Sequence, residues 1–342
     1  MHALFLASAL LVGCLLAVQA SVNLQLNKAV GTPYGASTLQ LGVATALLAL
    51  LAVAVGAIGA VRLVPGVPFW HLLGGLASPL YITSGILLFP RLGALAAAGL
   101  FVTGQMFASL GLDLFGLFGI ARKPLSVGIA LGALAVLAGI TVIIRGQRPA
   151  QSPPAAGPAS GGAPGTPARG GTATVTAPAA TAAAVRRSGG LGQGGWILLG
   201  IVAGAVLPVQ GAVNAALRKD IHEPVTTAMI SFIVATITIA VVLLVLLATR
   251  RTPRPQLGGL RTMPWWGWLG GACAAAYVTA TFTLIPTIGA ATTVALTVTG
   301  QQVASAVIDN YGFLRLPRRP LTAPRLSGLA LLIVGSVLVQ LT

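Results

Sequence analysis

Two stretches of this chain repeat one another at constant offsets, and that restricts the fold to architectures built from two like units. Gly13, Gln19, Asn23, Lys28 and Pro33 return 191 residues later as Gly204, Gln210, Asn214, Lys219 and Pro224. Beyond one loop the offset becomes 196: Gly74-Gly75, Tyr81, Pro90, Gly93, Gly104-Gln105, Ser109, Asp113 and Gly116 recur as Gly270-Gly271, Tyr277, Pro286, Gly289, Gly300-Gln301, Ser305, Asp309 and Gly312. With 56% apolar and 7% charged residues, neither unit has enough polar surface to cover a soluble globule. Two copies of a membrane unit are a common mark of transporters.

Apolar runs of about 20 residues, the length that crosses a bilayer, fall near 3–22, 35–61, 69–89, 92–112 and 125–145, and again near 196–216, 226–248, 265–285, 288–308 and 322–341. The expectation is an all-α integral membrane protein of ten transmembrane helices, arranged as two five-helix repeats over 1–145 and 196–342. Between them, 146–195 is rich in Ala, Pro, Gly, Thr and Ser and lacks periodicity, so it reads as a disordered tether. Residues 11–14 and 18–20 look like leader-processing signals. No Lys or Arg precedes Lys28, however, and the same segment recurs at 196–215, so a membrane helix is expected there.

An odd helix count makes the repeats inverted, since the second starts from the side on which the first ends. One side then holds Arg62, Arg122, Lys123, Arg218 and Lys219, and the other holds the remaining fifteen of the 20 basic residues. By the positive-inside rule the richer side is cytoplasmic. This predicts a cell (inner) membrane protein with the linker inside and both termini outside. The net charge of +16 is thereby topological, and no nucleic acid partner is expected.

An early Gln-x-x-x-Asn, a Gly-Gly-x-x-x-x-x-Tyr helix, and a late Gly-Gln-x-x-Ala-Ser-x-x-x-Asp-x-x-Gly stretch before Arg-[Lys/Arg]-Pro-Leu occur in both halves. In these motifs the chain resembles the YdcZ-type family of the drug/metabolite transporter superfamily, here as a fused pair of half-size proteins. The resemblance implies a ten-helix inverted-repeat transporter or exporter of the inner membrane, and no defined substrate. Neither repeat has the mid-membrane Glu that small multidrug members of the superfamily carry in the first helix.

Polar groups in hydrocarbon must find a partner or a cavity. Gln19 and Asn23 share a helix face, as do Gln105 and Ser109, and their counterparts Gln210 with Asn214 and Gln301 with Ser305. Together with Tyr81 and Tyr277 they are the candidate substrate-binding residues. Amides and hydroxyls both donate and accept, which suits a small polar or zwitterionic metabolite; the other reading is polar glue between packed helices. Two of the four carboxylates, Asp113 and Asp309, are repeat-matched, and each is followed nine residues later by Arg122 or Arg318. Such pairs could act as reciprocal gates or coupling groups near opposite surfaces, or as plain helix-end anchors.

The three histidines are scattered, and Cys14 and Cys273 lie in apolar runs at unmatched positions. No metal spacing, nucleophile–base pair or phosphate loop is present, so no enzyme activity and no cofactor is expected. The main reading is a secondary transporter of a small metabolite working by alternating access. A fused pair would be complete as a monomer in the lipid bilayer. The alternative is a non-transporting membrane scaffold or lipid-interacting subunit, in which the matched polar residues disperse into separate dry contacts.

Overall fold

The computed structural model describes residues 2–119, 122, 124–146 and 192–341, so the tether expected over 146–195 falls almost wholly outside the described residues. Five α-helices make up the first half: α1 (His2–Val30), α2 (Pro33–Ala54), α3 (Ala77–Leu92), α4 (Ala94–Phe115) and α5 (Val127–Arg145). Five more make up the second: α6 (Gln193–Ile221), α7 (Pro224–Ala248), α8 (Leu269–Ile288), α9 (Ala290–Tyr311) and α10 (Ala323–Leu341). Among the described residues, eight segments are long and apolar enough to cross a membrane. The architecture is all-helical, in two matched halves.

Matched residues punctuate both halves identically. Pro33 and Pro224 open α2 and α7 at the first turn, where a missing N–H costs nothing. Gly93 and Gly289, at φ 83° and 86°, set the tight entries into α4 and α9. Several expected boundaries differ: α6, like α1, overruns its apolar stretch and reaches Ile221, and the expected third span opens with a 3-10 segment, Phe69–Leu76, before α3. α2 stops at Ala54, and Gly56, at φ 74°, starts a 3-10 segment, Ala57–Gly66. α1 runs to Val30, past the apolar run, because its polar end is satisfied inside the protein: the Gln25 Nε2 donates to the Leu314 carbonyl at 2.9 Å.

The halves interlock around a pseudo-two-fold axis. α1 packs on α9 as α6 packs on α4, while α2 meets α7 and α5 meets α10. Thr45 and Thr236, each the other's counterpart, touch hydroxyl to hydroxyl at 2.9 Å. Along the α5–α10 seam the matched glycines pair in reversed order: a Cβ on Gly132 would stand 2.8 Å from the Gly335 carbonyl oxygen, and one on Gly139 would stand 2.7 Å from that of Gly328. Gly132 corresponds to Gly328 and Gly139 to Gly335, so these helices run antiparallel, backbone against backbone. That is the inversion of the second repeat.

Candidate functional site

A cavity of about 550 Å³ lies between the halves, walled by α1, α3, α4, α6, α7, α8 and α9. Seven of the ten expected binding residues line it: Gln19, Tyr81, Gln105 and Ser109 from the first half, and Gln210, Asn214 and Tyr277 from the second. Apolar side chains such as Met106, Ile82, Phe232 and Val278 fill the spaces between them. Few polar groups on a mostly apolar wall is the usual make-up of a small-molecule site. The charged lining residues, Asp113, Arg218 and Lys219, all sit at the C-terminal ends of α4 and α6, so the cavity reaches that end of the molecule.

Asn23, Gln301 and Ser305 are not in the wall. Asn23 is buried with its Oδ1 over Gly270, just as Asn214 lies over Gly74; a Cβ on either glycine would stand 2.1 or 2.2 Å from that oxygen. The repeated Gly-Gly therefore makes room for the asparagine of the opposite half. Gln301 donates through Nε2 to the Tyr81 hydroxyl at 3.2 Å, while the Nε2 of its counterpart Gln105 is buried with no partner among the described residues. Ser305 is fully buried.

A second departure from symmetry frees another amide. Gln210 and Ser78 bond each other, with Nε2 donating to Oγ at 2.8 Å and Oγ donating to Oε1 at 3.2 Å. The position matching Ser78 is Ala274, which has no hydroxyl, and the Oε1 of Gln19 is buried without a partner among the described residues. Gln19 and Ala274 both face the cavity. An unsatisfied acceptor and an unsatisfied donor, each costly in a dry site, are thus left in the wall by Gln19 and Gln105.

The two matched carboxylates have opposite surroundings. Asp309 is 1% exposed and accepts from the backbone N–H of Ala94 at 2.7 Å and of Leu95 at 3.2 Å, capping the N-terminus of α4. Its guanidinium partner is Arg325, whose Nη2 approaches Oδ2 at 2.6 Å. The expected partner, Arg318, is exposed and turns instead to the Asn310 carbonyl at 3.5 Å, because the chain after Gly312 carries it outward. Arg319 donates to the Pro90 and Arg91 carbonyls at 3.3 and 3.1 Å and packs over Gly93. Burial lowers the Arg319 pKa, with the Asp309 carboxylate opposing that shift. In this way the end of α3 and the start of α4 are closed over by second-half residues.

At the other end, Asp113 is half-buried in the cavity wall and a Cβ on Gly289 would meet nothing within 4 Å among the described residues. Arg122 is exposed and donates to the Phe115 carbonyl at 3.2 Å, as a helix-end anchor does. The mouth on this side carries a contact with no repeat counterpart: His71, in the 3-10 segment Phe69–Leu76, bonds through Nδ1 to Asp220 at the end of α6. Trp70 beside it lies 6.2 Å from the ring of Phe118, a cavity-lining residue.

The family model DMT_YdcZ, described as "Putative inner membrane exporter, YdcZ", matches residues 4–142 and 195–338, one segment in each half. The chain belongs to that family. It is thus a multi-pass membrane protein of an exporter family, a class of transporters rather than enzymes. No curated protein matches the chain. A solved structure titled "Crystal structure of protein" is 18% identical, with a TM-score of 0.54, over 98% of this chain and 94% of that one. That likeness concerns the fold alone.

Proposed function

We propose that this YdcZ-family chain is a secondary transporter that moves a small polar or zwitterionic metabolite by alternating access, with substrate held between the inverted repeats. The observation that supports this best is the convergence of Gln19, Gln105, Gln210 and Asn214 with Tyr81 and Tyr277 on one cavity. Packing glue would scatter them into separate contacts. The unsatisfied Gln19 Oε1 and Gln105 Nε2 offer an acceptor and a donor to a ligand, and the tyrosine rings supply packing faces.

The cavity reaches the Asp113 end and is closed at the Asp309 end. By the distribution of basic residues, the Asp309 end faces the cytoplasm, so this arrangement is open to the outside, with both termini external and the complete site in one monomer. Return to the inside requires the Asp309 contacts to α4 to break and the Asp113 end to close. A thermal-shift screen of neutral and zwitterionic metabolites on the purified protein tests the site. Stabilisation by a ligand, lost in Gln19→Ala and in Gln105→Ala, is the expected result. Ligand stabilisation unaffected by either change would remove the cavity from the account.

A further inference from the structure

The sealed end depends on three second-half residues, and the repeat offset names their first-half counterparts. Asp309, Arg319 and Arg325 correspond to Asp113, Lys123 and Ile129. Ile129 is 3% exposed at the start of α5, as Arg325 is 3% exposed at the start of α10. The carboxylate is therefore retained at both ends, whereas the buried guanidinium is present at one.

We propose that Arg325 is a positioning residue that sets the resting state of the transporter, holding the Asp309 end closed, a role that Ile129, at the matching position of the other end, has no polar group to fill. Arg325 does more than neutralise Asp309. Its Nη1 donates to the carbonyls of Arg319 at 2.6 Å and Pro320 at 3.1 Å, so one side chain fixes both the carboxylate and the loop whose Arg319 covers Gly93. The Arg319 N–H donates in turn to the Asp309 carbonyl at 2.7 Å, closing that loop onto α9.

Closure of the opposite end by the same grammar would place Asp113 on the N–H groups of Ala290 and Ala291, the counterparts of Ala94 and Leu95. Ile129 can donate nothing to that arrangement. The charge-assisted bonds that Arg325 makes at the Asp309 end have no donor at the matching position 129. The two closed states then differ in stability, and the difference favours the one observed.

This inference rests on the alternating-access reading, and the test separates the two. In purified full-length protein on a Cys14→Ser/Cys273→Ser background, Ser109→Cys and Ser305→Cys report the two ends by their rate of reaction with a soluble maleimide. With Arg325 intact, Ser109→Cys reacts faster. R325I raises the Ser305→Cys rate, R325K restores most of the original ratio, and I129R slows Ser109→Cys, each main shift being roughly tenfold. Should R325I not fold, I129R decides alone, since it leaves the Asp309 end untouched. Unchanged Ser109→Cys labelling in I129R overturns the proposal. If D309N raises Ser305→Cys labelling while R325I and I129R move nothing, alternating access stands and the role of Arg325 falls. If D309N too moves nothing, alternating access falls with it.

Discussion

The two ends of the bundle are built from the same motif and end in different states. At the Asp309 end, the carboxylate is buried, capped onto α4 and paired with Arg325. At the Asp113 end, its counterpart borders a cavity beside Arg218 and Lys219. The difference teaches that the helices follow the repeat symmetry while the contacts at their ends do not, because those contacts involve residues outside the repeated motif. Two unmatched pairs mark the departure from symmetry: Arg325 opposite Ile129 at the ends, and Ser78 opposite Ala274 in the cavity wall.

The comparison predicts a ranking of effects. Arg325→Ala should be the most damaging, because it leaves the Asp309 carboxylate buried without its counter-charge, a change that costs about 3–5 kcal/mol. The midpoint of thermal unfolding in detergent reads it. Gly139→Val comes next: its Cβ would press on the Gly328 carbonyl, and overpacking of this kind costs about 1–3 kcal/mol. The seam is symmetric, so Gly335→Val, facing Gly132, should cost about as much; a large disparity would break the inferred two-fold relation.

A smaller effect is expected from Ala274→Ser, which gives Gln19 the hydroxyl that Ser78 gives Gln210. It should weaken ligand binding by about the worth of one hydrogen bond, roughly 1 kcal/mol, in a binding titration, with little change in stability. Tighter binding would mean that Gln19 is not a ligand contact. Arg122→Ala should be the mildest, within about 0.5 kcal/mol in the same unfolding assay, since the side chain is exposed. A cost equal to that of Arg325→Ala would erase the distinction between the ends.

The fold was largely legible in the sequence because inverted repeats leave a constant offset, and the matched Gly, Pro and Asp residues mark helix ends in both copies. Part of the cavity lining is legible for the same reason, through Gln19, Tyr81 and their mates and through Gln105, whereas Gln301, the mate of Gln105, packs on Tyr81 outside the wall. What escaped is what repetition cannot reveal. Repetition points from Asp309 to Arg318, nine residues on and recurring, and not to Arg325, whose counterpart is Ile129. Hydropathy leaves Arg218 and Lys219 beyond the expected span 196–216, whereas α6 runs to Ile221 and carries them to the cavity mouth. Hydropathy ends a helix where polar residues begin; α1 and α6 continue because the protein, not lipid, surrounds those residues.

The most direct test of a cavity open at one end only is cysteine labelling from either face of the membrane, with Gln105→Cys and Gln301→Cys placed singly on a Cys14→Ser/Cys273→Ser background. In intact cells an impermeant maleimide should label position 105 and spare position 301, which packs against Tyr81. In inverted vesicles, position 105 should label poorly and position 301 should gain reactivity only when Asp309→Asn opens that end. Equal labelling of both positions from one face would contradict the account.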